Sequence, residues 1–232
     1  IAFQLMSGRF FSPQNLSIVT QQASINTVLA CGMTAVILTG GIDLSVGSIL
    51  AASAMVAVIG SLVPDMGMIG IPLALFAGLL FGGLYSVIVI TGIHHSFHAI
   101  EAGLLGNPAI GVNFLLPIWS MSNVAQGGAC LAVWFKTRDA KTRALIVPSA
   151  CSALLGITEA AIFGVNLRFV KPFFAALAGG ALGGAWVVAS HVSMTAVGLT
   201  GLPGLAIVKP GALMNYLIGR VIAFAAAFLI SL

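Results

Sequence analysis

Long uncharged apolar runs alternate with short polar segments along most of this chain. No Asp, Glu, Lys or Arg occurs in seven stretches, at residues 16–40, 44–64, 66–93, 113–135, 144–158, 172–190 and 221–232. A membrane-spanning helix needs about 20 mostly apolar residues, so these stretches predict about six or seven transmembrane or re-entrant helical segments. The pattern therefore predicts an all-α polytopic membrane protein.

Helix boundaries are expected where these runs meet polar or Gly/Pro-rich residues. The predicted helices lie at about 16–40, 44–63, 68–92, 113–135, 144–155, 172–196 and 211–232. Residues 93–112, with three histidines, three glycines, Glu101 and Pro108, are poor material for a lipid-facing helix, and residues 156–171 form a second irregular stretch. Irregular backbone at membrane depth is tolerated only inside protein or beside water. Both stretches are therefore predicted to be broken or re-entrant.

The composition supports the membrane class and the charge distribution adds an orientation. Hydrophobic residues make up 59% of the 232 residues and charged residues only 6%. The few basic residues form no stripe with interleaved aromatics, so the chain is not expected to bind nucleic acid. Residues 136–143 contain Lys136, Arg138, Lys141 and Arg143, four of the nine basic residues. Because cytoplasmic loops carry an excess of Lys and Arg, this loop is predicted to be cytoplasmic.

Glycines recur at the spacing of one helix turn in two of the apolar runs. Gly78, Gly82 and Gly83 lie in one run, and residues 179, 180, 183 and 184 are glycines in another. Small residues at this spacing let helix backbones approach closely in lipid. We expect these glycines to pack helices against one another rather than to bind a ligand.

A few ionisable residues lie in otherwise uncharged sequence and are the candidates for a functional site. His94, His95, His98 and Glu101 are grouped in the first irregular stretch, and Glu159 lies in the second. Such groups are costly at bilayer depth and persist mainly where they line a polar cavity, so they predict a substrate site. The histidines lack the His-Glu-x-x-His pattern of intramembrane metalloproteases. Neither a metal nor a cofactor is therefore expected.

Four motifs in the second part of the chain carry a family resemblance. They are GIHHSFHAIE at 92–101, NFLLPIW at 113–119, NVAQGG at 123–128 and GITEAAIFG at 156–164. From about residue 81 to 232 the chain resembles the IIC membrane domain of sucrose-type phosphotransferase-system (PTS) permeases. The resemblance implies sugar uptake across a bacterial inner membrane that the chain crosses several times.

 Sucrose or a related disaccharide is the expected substrate.

The same resemblance assigns roles to the candidate residues. It implies that Glu159 binds the sugar with Thr158 beside it, and that His94 or His95 lies near the hydroxyl that receives phosphate. A histidine there could act as a base on that hydroxyl, and the sequence leaves open which of the two faces the substrate. Glu101 belongs to the same site and is expected to partner a histidine. The phosphate would come from a phosphorylated IIB domain or subunit, and a homodimer is a further expectation.

Residues 1–80 carry a different resemblance. Their motifs, above all TGGIDLSVGS at 39–48, are similar to the membrane permease of ribose-type ABC sugar importers. This implies two parts, an ABC-permease-like segment at 1–80 and a IIC-like segment at 81–232. The alternative function is therefore an ABC importer subunit that works with an ATPase subunit. A third alternative is a composite chain without transport activity. Whether the chain is an enzyme stays open, since it holds no complete catalytic unit.

Overall fold

The computed structural model describes Thr20 and residues 70–90, 92, 94, 97–108, 110–198 and 200–232. Apart from Thr20, the helices predicted at 16–40 and 44–63 lie outside the described residues, as does the 39–48 motif. The structural statements below concern the described residues.

The described chain is helical, and its helices follow one another with short connections. The helices are α1 (Gly70–Ile90), α2 (Phe97–Gly106), α3 (Leu115–Lys136), α4 (Ala140–Leu154), α5 (Glu159–Ala161), α6 (Leu167–Phe169), α7 (Lys171–Ala189) and α8 (Leu213–Ser231). A π-helical turn, Ile162–Asn166, joins α5 to α6, and 3-10 turns at Pro203–Ile207 and Pro210–Ala212 precede α8. No strand occurs in these residues, where Met194 forms isolated bridges with Asn113 and Val208. The all-α prediction is confirmed.

Three helical segments in the described residues are long and apolar enough to cross a membrane: Pro72–Ile90, Lys171–Ala189 and Pro210–Ser231. Helix α3 has 22 residues and is also long enough, at about 33 Å. Its side chains are almost all buried, and they include the polar residues Ser120, Ser122, Asn123 and Gln126. Helix α3 is therefore an interior helix whose polar groups face other parts of the protein.

The glycines predicted to pack helices do so in the bundle. Helix α7 packs against α1, α3 and α8. A Cβ on Gly82 or Gly78 of α1 would meet the backbone carbonyl of Gly180 or Gly184 of α7. The other face of α7 packs just as closely, because a Cβ on Gly179 would meet the backbone of α8. The two helix pairs can therefore approach only where side chains are missing.

Several helix ends differ from the sequence-based boundaries for local reasons. Helix α4 begins at residue 140 rather than 144, because the Asp139 side chain accepts a hydrogen bond from the backbone N–H of Thr142 and caps the helix. The hydroxyl of Thr142 also bonds Asp139, and together these bonds lower the pKa of that carboxyl. Helix α7 ends at residue 189 rather than 196, since His191 follows in a left-handed conformation with φ of 52°.

The two stretches predicted as irregular contain more helix than expected. Helix α2 occupies half of residues 93–112, and residues 159–169 are helical throughout, with the π turn in the middle. The breaks lie at the edges, where Gly156 has a φ of 100° and Val170 a φ of 60°. The 156–171 stretch is therefore less irregular than predicted, because a break needs only one or two residues in a left-handed conformation.

Six of the eight basic residues in the described part of the chain gather at one end of the bundle. Lys136, at the end of α3, donates a hydrogen bond to the carbonyl of Ser231 at the end of α8, at 3.4 Å. Lys136 also lies near Lys171, where α7 begins, and Asp139 lies near Arg168. The 136–143 loop thus shares one end of the bundle with two further basic residues, which strengthens the prediction that this end is cytoplasmic.

Labelling of single cysteines tests this orientation in a background without the native cysteines. A Lys141→Cys variant should react with an impermeant thiol reagent only after cells are opened, because residue 141 is exposed at the predicted cytoplasmic end. A Gly211→Cys variant serves as the control. Gly211 precedes α8, so it lies at the opposite end of that helix from Ser231 and Lys136. It has open space around its Cβ position and should therefore react in intact cells. The reverse pattern of labelling would invert the orientation.

Candidate functional site

A cavity of about 150 Å³ opens where α1, α2 and α3 meet the 156–159 segment, Gly198 and Thr200. Among the residues that the structure describes, the polar ones that line this cavity are Tyr85, His94, His98, Glu101, Trp119, Asn123, Thr158, Glu159 and Thr200. Both predicted irregular stretches therefore contribute to one cavity. Of the predicted site residues, His94, Glu101, Thr158 and Glu159 line it, whereas His95 lies outside the described residues.

Glu159 reaches the cavity from the first position of α5. Its side chain is exposed, while the preceding Thr158 is buried. In the described part of the chain no side chain is hydrogen-bonded to the Glu159 carboxylate. A negative charge is favourable at the N-terminal end of a helical segment. The carboxylate is therefore placed with its acceptor oxygens available to a ligand.

His94 approaches the cavity from the segment between α1 and α2. Its ring lies edge-on to the ring of Tyr85, with 6.4 Å between centroids and an interplanar angle of 78°. His94 is half-buried and precedes α2, so it does not share a continuous helix with His98 and Glu101. The three side chains nevertheless line the same cavity, because α2 turns back toward α3.

Glu101 is fully buried, and both of its carboxylate oxygens have partners. Oε1 accepts a hydrogen bond from Trp119 Nε1 at 2.9 Å, and Oε2 lies 3.3 Å from His98 Nδ1. The carboxylate of Glu101 holds two other lining side chains in place.

An aromatic wall accompanies these polar groups. The Trp119 and Tyr85 rings stack with 4.5 Å between centroids at 18°, and Phe97 packs against Trp119 at 5.1 Å. Aromatic faces suit the apolar faces of a sugar ring, and the phenol and amide groups supply directed hydrogen bonds. The cavity thus combines an available carboxylate, an imidazole and an aromatic wall, which is a chemistry suited to an uncharged polyhydroxylated ligand.

Comparison with known proteins identifies the family of this chain. The family described as "Phosphotransferase system, EIIC" matches residues 14–180. The chain belongs to the phosphotransferase-system EIIC family. It is a multi-pass protein of the bacterial inner membrane, as the EIIC match and its apolar helices show.

Similar curated proteins come from several bacteria. The EIIC chain is 79% identical over 156 residues to a "PTS system sucrose-specific EIIBC component" of Salmonella typhimurium, covering 67% of this chain and 34% of the relative. It is 80% identical over 148 residues to the protein of the same name in Klebsiella pneumoniae, covering 64% and 32%. A "PTS system trehalose-specific EIIBC component" of Bacillus subtilis is 41% identical over 179 residues, covering 77% and 35%. The chain therefore spans about a third of the length of these relatives. No solved structure matches it.

The comparisons give no support to the ABC importer resemblance of residues 1–80. The EIIC match begins at residue 14, inside that segment. The boundary near residue 80 stays a prediction.

Four polar lining residues of the EIIC cavity had no role in the sequence-based site: Tyr85, Trp119, Asn123 and Thr200. Trp119 and Asn123 lie in the 113–119 and 123–128 motifs, which were noted for resemblance alone. Tyr85 was visible only as a hydroxyl-bearing aromatic in an apolar helix. Thr200 lies about 40 residues beyond Glu159 and gave no sequence signal, since its place depends on how the chain returns to α3.

Proposed function

We propose that this chain is the sugar-translocating part of a sucrose-type PTS permease. The observation that carries the proposal is that Glu159 and His94, from two separate segments, line one cavity beside an aromatic wall. The sucrose-specific names of the relatives from Salmonella typhimurium and Klebsiella pneumoniae support sucrose as the substrate. The EIIBC names of the same relatives support a IIB domain as the partner, and a homodimer remains a prediction.

In this proposal the Glu159 carboxylate accepts hydrogen bonds from sugar hydroxyls, with Thr158 beside it. A cavity of about 150 Å³ is smaller than the roughly 300–1,000 Å³ usual for pockets that hold drug-sized ligands. One ring of a disaccharide would therefore occupy the cavity, and the other would extend through its opening. This assigns Glu159 to recognition of a single ring.

The chemical step transfers a phosphoryl group from the phosphorylated IIB domain to a sugar hydroxyl. His94 or His95 takes the hydroxyl proton while the oxygen forms a bond to phosphorus. The bond between phosphorus and the IIB side chain breaks, and its electron pair remains on that side chain. The products are a sugar phosphate and the dephosphorylated IIB domain.

Reconstitution of the chain with a separate phosphorylated IIB domain tests the proposal. Sucrose should bind to the chain in the absence of the IIB domain and should become sucrose phosphate when that domain is added. If His94 is the base, a His94→Asn variant should lose phosphorylation by about 100-fold or more, within the range for general bases, and sucrose binding should fall much less.

The control is a His191→Asn variant, because His191 is exposed and does not line the cavity. It should keep both binding and phosphorylation. If His94→Asn keeps full phosphorylation, His95 becomes the candidate base. Absence of sucrose binding by the unaltered, folded chain would contradict the proposal and favour a chain without transport activity.

A further inference from the structure

The NVAQGG motif on α3 has no part in the proposed chemistry, yet two of its side chains contact the segment that carries Glu159. Asn123 and Gln126 are three residues apart, so they lie on the same side of α3. Asn123 reaches the chain just before Glu159, and Gln126 reaches it at the last residue of the π turn. The two contacts are made through different hydrogen bonds.

Asn123 fixes the upstream end of the segment. Its Nδ2 donates to Thr200 Oγ1 at 2.9 Å and to the carbonyl of Gly156 at 3.4 Å. The Thr200 hydroxyl also donates to the Gly156 carbonyl, at 3.4 Å. The turn that precedes Glu159 is therefore tied to α3 and to the 198–202 segment.

Gln126 fixes the downstream end. Asn166, the last residue of the π turn, donates from Nδ2 to Gln126 Oε1 at 2.6 Å and to the Gln126 carbonyl at 3.0 Å. Gln126 Nε2 in turn donates to Ser86 Oγ on α1 at 2.7 Å. Asn166 and Gln126 are both fully buried. Asn166 Oδ1 has no hydrogen-bond partner among the described residues, so the arrangement depends on the two bonds from Nδ2. Breaking those bonds would leave further buried polar groups unpaired, which is costly.

We propose that Asn166 and Gln126, together with Asn123, clamp the 156–166 segment at both ends and thereby set the direction of the Glu159 carboxylate. A π turn holds one more residue than an α turn and often occurs at functional sites. Releasing its last residue from Gln126 would let the turn relax and rotate α5, which carries Glu159. Asn166 is a positioning residue in this account, and the inference rests on the proposed role of Glu159 in sugar binding.

A double-mutant cycle between Asn166→Ala and Glu159→Gln tests the clamp. Asn166 does not line the cavity, so it cannot act by contacting the sugar. Asn166→Ala should weaken sucrose binding about five- to tenfold when Glu159 is present, and less than about twofold when residue 159 is already glutamine. Binding is measured at equilibrium on the full chain in lipid nanodiscs, and the thermal unfolding midpoint is measured without sugar.

The matched control is Ser149→Ala. Ser149 is buried and lies against the π turn near Gly164, but its hydroxyl donates to the Leu145 carbonyl of its own helix. This variant should keep sucrose affinity even if its unfolding midpoint falls. A Thr200→Val variant, which removes the upstream hydroxyl at nearly constant volume, gives a second measurement should Asn166→Ala fail to fold. Like Asn166→Ala, it should weaken binding only when Glu159 is present.

The outcomes separate the clamp from the proposed function. If Glu159→Gln alone leaves affinity unchanged, the role of Glu159 in binding is wrong. If Glu159→Gln weakens binding but the effects of the second substitution simply add to it, Glu159 binds sugar and the clamp is wrong. Equal loss of affinity in Ser149→Ala would also overturn the clamp, because general loosening of the bundle would then explain the result.

Discussion

Replacing Glu159 with glutamine is expected to weaken sucrose binding by about one to two orders of magnitude. Glutamine keeps the size of the side chain and removes its charge, and hydrogen bonds to charged groups contribute roughly 1.5–3 kcal/mol. Glu159 is the cavity-lining carboxylate that has no described side-chain partner, whereas both oxygens of Glu101 are engaged. Equilibrium binding of radiolabelled sucrose to the purified chain measures the effect.

Asp139→Asn is the matched control for this substitution. Asp139 lies at the start of α4, outside the cavity, and asparagine caps helices about as well as aspartate. Its sucrose affinity should match that of the unaltered chain. If Glu159→Gln bound sucrose as tightly as this control, the carboxylate would have no part in recognition and the site would need another anchor.

Adding a single methyl group at Gly184 is expected to lower the free energy of unfolding by about 1–3 kcal/mol, the usual cost of overpacking. The new Cβ would meet the backbone carbonyl of Gly78, and backbone atoms cannot move aside without separating α1 from α7. Alanine gains about 1 kcal/mol of helix propensity over glycine, which offsets only part of the clash. Unfolding by denaturant in detergent measures the difference.

Gly103→Ala gives the opposite expectation on the same chain. Gly103 lies in α2, and a Cβ there would meet nothing within 4 Å. The propensity gain is then unopposed, so stability should rise or stay constant. If Gly184→Ala were as stable as Gly103→Ala, the close approach of α1 and α7 would not contribute to the stability of the bundle.

The sequence located most of the described helices, because a spanning helix can be recognised from the length of its apolar run. Helices α1, α3 and α8 begin and end within about two residues of the predicted bounds, as expected for helix ends. Errors came where one side chain or one backbone torsion decides a boundary. Asp139 extends α4 by capping it, and His191 ends α7 early. An apolar run carries no information about such single-residue events.

The sequence also selected His94, His95, Glu101 and Glu159 as site candidates, because ionisable groups are expensive in apolar surroundings and stand out there. It predicted a histidine partner for Glu101, and His98 lies within hydrogen-bond distance of it, but it could not show that Trp119 would bond the other carboxylate oxygen. That depends on how α2 turns back against α3, a contact between residues 18 positions apart.

What the sequence alone determined about this protein was its class, its helix-packing glycines and the candidate residues for its site. These follow from local composition and spacing, which act along the chain. The tertiary structure decided that Tyr85, Asn123 and Thr200 would join Glu159 around one cavity, and that Gln126 would hold the π turn through Asn166. Those arrangements depend on which helix faces meet in the bundle, and packing between distant segments sets them.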